Sequence, residues 1–88
     1  MIKITRATQK NNCVVELEFS DGSTGEYDLT PLLSRDTILT RPLKDPAEFG
    51  RFFIDLGALC WPNGFELSPE AIHRRLGDEG TLRTTKVA

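Results

Sequence analysis

The chain is poor in the residues that most often do chemistry. Its 88 residues hold one histidine, two cysteines, one tryptophan, one tyrosine and one methionine. The cysteines, Cys13 and Cys60, stand far apart, and no Cys-x-x-Cys occurs. A zinc site needs about four ligands with close pairs among them, so a metal centre is not expected. The seven glycines are scattered singly, and no glycine loop precedes a helix, which excludes a P-loop or a dinucleotide fold. Nothing approaches the run of roughly 18 apolar residues that spans a membrane. The opening Met1-Ile2-Lys3-Ile4-Thr5-Arg6 lacks the apolar block of a secretion signal, so a cytoplasmic protein without disulfides is expected. A net charge of −2 gives no general attraction to nucleic acid or anionic lipid. There is no long repeat and no low-complexity stretch. No cofactor is implied.

What remains is an ordinary small globule, 39% apolar and 27% charged. A chain of this size buries about 64% of its surface, enough for one core. Ile2 to Ala7 alternates as a first strand. The clearest strand is Cys13 to Ser20, with Val15, Leu17 and Phe19 on one face and Glu16 and Glu18 on the other. Asp21-Gly22 supplies a hairpin turn, and Ser23 to Leu29 returns with Gly25, Tyr27 and Leu29 inward. Thr30-Pro31 and Asp45-Pro46 each read as a cap followed by a first helical residue. Residues 34–44 are irregular around Ile38, Leu39 and Leu43. Arg51 to Leu56 and Ala58 to Trp61 form a second hairpin about Gly57. Pro62-Asn63-Gly64 closes it, and Ser68-Pro69 opens a helix to Leu76 with Ile72 and Leu76 inward. His73, Arg74 and Arg75 face out, and Gly77 stops the helix. Residues 1–77 are expected to form one α+β domain: a meandering antiparallel sheet of about five strands, short helical turns and one C-terminal helix. Residues 78–88 are expected to be a flexible tail.

Several residues are candidates for function. Cys13 or Cys60 with His73 and a carboxylate is the minimum nucleophilic set, although a Cys in a strand beside Trp commonly packs and a His on an outer helix face is commonly just exposed. Asp21, Asp28 and Asp55 could pair carboxylates across strands, against which Asp21 fits a turn and Asp28 a side-chain cap. Trp61 is either a partner anchor or the cover of the core. Glu16, Glu18, Asp21, Glu26 and Asp28 follow one another without a base and read as a solvated or partner-attracting acidic face. Arg74, Arg75, Arg83 and Lys86 are the one basic group that could meet phosphates.

The ordered pieces resemble a known family. Val15-Glu16-Leu17-Glu18-Phe19-Ser20-Asp21-Gly22 is followed by Tyr27-Asp28-Leu29, Pro31-Leu32-Leu33, Leu43-Lys44-Asp45 and Phe49. Phe53-Ile54-Asp55, Trp61-Pro62-Asn63-Gly64 and Leu67-Ser68-Pro69 complete the series. Their order and spacing over roughly residues 1 to 76 resemble domain of unknown function 2442, a small bacterial family. The resemblance implies an α+β domain in which Phe19, Asp21, Gly22, Asp28, Leu29, Trp61, Pro62, Asn63 and Gly64 serve structure. It brings no catalytic residues. Some relatives carry a C-terminal helix-turn-helix, for which this chain has too little sequence after Leu76. Paired gene contexts in the family imply a protein partner, either a neighbouring gene product or a second copy. The leading expectation is a non-catalytic protein-interaction module, with Trp61, Glu16, Glu18, Arg74 and Arg75 as candidate contacts. The alternatives are an accessory or antitoxin-like part of a nucleic-acid-linked system, and a small Cys/His/carboxylate enzyme. Direct nucleic-acid binding by the chain alone is not expected.

Overall fold

The computed structural model describes residues 1–84. Strands β1 (Ile4–Gln9), β2 (Val14–Phe19) and β3 (Ser23–Asp28) form an antiparallel meander. Helix α1 (Thr30–Leu33), a 3-10 turn over Arg41–Lys44 and helix α2 (Pro46–Phe49) follow. Strands β4 (Phe53–Asp55), β5 (Ala58–Cys60) and β6 (Glu66–Leu67) make a second antiparallel sheet. Helix α3 (Pro69–Asp78) and strand β7 (Arg83–Thr84) complete the described chain, with β7 added to the first sheet beside β3. The α+β reading holds, with the strands divided between a four-stranded and a three-stranded sheet.

Period-two alternation on β2 and β3 sends Val15, Leu17, Phe19, Gly25 and Tyr27 inward, where α3 lays Ile72 and Leu76 over them. Gly25 permits the approach, because a Cβ there would lie 2.8 Å from Leu76 Cδ1. Leu33, Leu43, Phe49, Leu59 and Trp61 continue the same cluster beneath the second sheet. The two sheets meet at the start of β1, where Ile4 N–H donates to Gly57 O at 2.9 Å.

Three local expectations change. The first strand is displaced to Ile4–Gln9 and carries a bulge between Ile4 and Arg6, which turns Arg6 outward opposite Glu18 and Ala7 inward opposite Leu17. Thr30 is the first helical residue of α1 and not its cap; the cap position is Leu29, which has no side-chain capping bond, and Asp28 one residue before it accepts from Thr30 N–H at 2.9 Å. Gly77 lies inside α3, and the left-handed stop is Gly80, with φ +73. There Gly80 N–H donates to Gly77 O and Thr81 N–H to Leu76 O, the paired bonds of a Schellman turn. Residues 78–84, set apart above as part of a tail, comprise the end of α3, that turn, and a strand pairing Ser23 with Thr84 and Thr24 with Arg83. Lys86, expected among the basic group, lies outside the described residues.

Candidate functional site

The Trp61–Gly64 segment forms a tight turn at the end of β5. Trp61 N–H bonds to Phe65 O, Gly64 N–H bonds to Trp61 O, and Gly64 takes φ +98. The Trp61 side chain is 2% exposed and packs against the rings of Phe49, Phe52 and Phe65. Its indole N–H donates to Phe49 O at 2.8 Å, the buried bond an indole needs. Trp61 is therefore core, which corrects its standing as a candidate partner contact. Asn63 works in both directions. Its Oδ1 accepts from Phe65 N–H at 3.1 Å, and its Nδ2 donates to Leu39 O at 2.9 Å, tying this turn to the loop before the 3-10 turn.

His73 is not merely on an outer face. It sits on α3 with Nε2 2.9 Å from Asp21 Oδ2 and its ring edge-on to Phe19, centroids 5.0 Å apart. Asp21 Oδ1 accepts from both the N–H and the hydroxyl of Ser23. Those two bonds, and then His73, hold the Asp21 carboxyl down at about 2. The chain of contacts runs Ser23–Asp21–His73, so the carboxylate stands between hydroxyl and imidazole. A nucleophilic triad needs the imidazole in the middle. Cys60 takes no part: its Sγ lies 3.7 Å from Ala58 O and from Glu66 Oε2, and burial, then Glu66, pushes its thiol pKa up, away from the thiolate. Cys13 and Cys60 are both free thiols, the first half-buried and the second buried. Asp21 and Asp28 are engaged separately, at the β2–β3 turn and at the start of α1. Asp28 is lowered by its bonds from Thr30.

The acidic face lies on the open side of the four-stranded sheet. Glu16 stands directly opposite Glu26, a like-charge pair, and among the described residues neither joins an ion pair. Two shallow depressions of about 250 and 200 Å³ share Glu16. The face is less uniform than the sequence implied, because Arg6 is opposite Glu18 on one side and Arg83 is opposite Thr24 on the other. The basic residues are divided as well: Arg75 pairs with Glu79 on α3 at 3.1 Å, while Arg83 lines the depression beside Glu16 and Glu26.

Apolar side chains left in solvent are the feature that sequence reasoning missed. Leu56, read as the end of a strand, is a turn residue at φ +51, 89% exposed. Phe53 and Ile54 on the same hairpin are also open to solvent. Ile38 is 83% exposed and Leu39 is exposed beside it. The one sequence signal for these was negative: Ile38 and Leu39 sit in a stretch with no helix or strand period.

The model of the family of proteins of unknown function DUF2442 matches residues 4–76. The chain belongs to that family. Every DUF2442 residue singled out above, from Phe19 to Gly64, lies inside the matched span, which ends at Leu76, before the Schellman turn and β7. No curated protein and no solved structure matches the chain. No helix among the described residues is long and apolar enough to cross a membrane.

Proposed function

We propose that this DUF2442 chain is a non-catalytic protein-interaction module that binds another protein through its β4–β5 hairpin. The observation carrying this reading is Leu56. Asp55, Leu56, Gly57 and Ala58 form a two-residue hairpin loop in which both central residues have positive φ, 51° and 84°. Asn, Asp or Gly is the usual first residue of such a loop, since a branched apolar side chain at positive φ strains the backbone by about 1–2 kcal/mol. Leu56 accepts that strain and is still almost fully exposed, so packing within the chain gives nothing in return. Strain retained without an internal gain is a mark of a contact made elsewhere. Phe53 and Ile54 widen the apolar surface along the same hairpin.

The buried reactive groups support the non-catalytic part of the reading. The Trp61 indole, the Ser23 hydroxyl and the Cys60 thiol each already have partners inside the fold. A photo-crosslinking residue placed at 56 in native cells tests the proposal, with Glu70 as an exposed control. One protein joined at 56 and not at 70 supports it, and the partner is then named by mass spectrometry. Equal labelling at both positions removes it. A crosslink to a second copy assigns self-association.

A further inference from the structure

The loop between α1 and the 3-10 turn holds two apolar side chains in solvent on an unusually well-braced frame. Thr37 and Thr40 bracket Ile38-Leu39. Thr37 N–H donates to Thr40 Oγ1 at 2.9 Å, Thr40 N–H donates to Thr37 Oγ1 at 3.1 Å, and the two hydroxyls meet at 2.8 Å. Thr40 is buried. Arg41 N–H closes the turn on Thr37 O at 2.8 Å. From outside, Asn63 Nδ2 holds Leu39 O. Below the tip, Asp36 at φ +54 receives Arg41 Nε and Lys44 Nζ, both at 3.0 Å. These bonds fix the loop's shape, yet its tip is left in water.

Cations outnumber carboxylates along the loop and its flanks: Arg35, Arg41 and Lys44 stand against Asp36, which binds two of them, and Asp45, which is engaged in capping α2. Among the described residues Arg35 is in no ion pair. A surface of this kind is complemented by an apolar recess with acidic edges. We infer that the Thr37–Thr40 loop is a second docking element, which inserts Ile38 and Leu39 into an apolar cleft rimmed by Asp and Glu on a partner protein. Rigidity favours a protein cleft over a lipid surface, since a pre-shaped loop lowers the ordering cost only where its occupant has a fixed complementary shape.

The inference rests on the interaction-module reading, and its test separates the two. A photo-crosslinker at position 38 is compared with position 56 and with the control at Glu70. The expected result is one dominant protein joined at 38, whose crosslinked peptide carries apolar residues flanked by Asp or Glu. With that protein purified, Ile38→Asp and Arg35→Glu each weaken binding at least tenfold and leave the melting temperature unchanged, and affinity falls as salt rises. Crosslinking at 56 but not at 38 overturns the loop inference alone; failure at both positions overturns the module reading too. A partner peptide without acidic residues, a second copy joined at 38, or sedimentation with phosphatidylserine vesicles that Ile38→Asp abolishes also overturns it.

Discussion

Individual residues carry the sharpest tests. Leu56 pays for its left-handed conformation without packing, so Leu56→Gly raises the free energy of unfolding by about 1 kcal/mol, read as a higher urea midpoint. On the interaction reading proposed above, the same change is expected to weaken partner binding, a stability gain set against function. Gly57 is the opposite case. It has φ +84, and a Cβ there would fall 2.6 Å from Lys3 Cβ and 3.2 Å from Lys3 Cα, at the seam of the two sheets. Gly57→Ala therefore destabilises by at least about 2 kcal/mol, adding backbone strain to overlap. Trp61→Ala empties an aromatic cluster and orphans Phe49 O, for a loss of about 3–5 kcal/mol. Thermal or urea unfolding of the two variants checks both values. The roles of these residues were unequally legible: Trp61 left core and interface open, and its burial among three Phe rings with an internal indole bond decided for core.

At the scale of elements, α3 is held to the β2–β3 turn by the Asp21–His73 contact and to strand β3 by Leu76 over Gly25. The Asp21 carboxyl, held at about 2 by Ser23 first and His73 later, is depressed from the usual 3.8. Its contribution is therefore complete above about pH 4 and disappears as pH falls toward 2. Asp21 is partly exposed, so solvent keeps the effect modest. Urea midpoints of the wild type and Asp21→Asn should differ at pH 5 and draw together as pH falls through about 2. A gap unchanged with pH would mean that the carboxylate charge contributes nothing. Gly25→Ala pushes on Leu76 and is expected to lower stability by about 1–3 kcal/mol through overpacking. The start of α3 was read from its cap: Ser68 does cap α3, accepting from Ala71 N–H. Its end was misread because two signals competed. Gly77 and Gly80 both suit a helix stop, and the Thr81 N–H bond to Leu76 O selects Gly80.

For the whole molecule, one core joins two sheets, and the surface is divided into zones of different chemistry. The open face of the larger sheet is acidic at its centre, with Arg6 and Arg83 on its outer strands. The β4–β5 hairpin and the Ile38–Leu39 loop expose apolar residues. The seam at Ile4 and Gly57 makes the hairpin part of the same packed body, so Leu56 is presented on a firm support.

Sequence alone determined what depends on neighbours along the chain: period-two alternation put Val15, Leu17 and Phe19 inward, Asp21-Gly22 made the hairpin, Asp28 tied down Thr30, and the ordered pieces named the family. Those effects act over a few residues and need no knowledge of where distant segments go. The tertiary structure alone decided that Trp61 is buried, that His73 meets Asp21 across 52 positions, that Arg6 and Arg83 flank the glutamates, and that Leu56, Ile38 and Leu39 stay in water. An apolar residue looks the same in sequence whether it is packed or exposed. Only the arrangement of remote segments settles which of them lose contact with solvent.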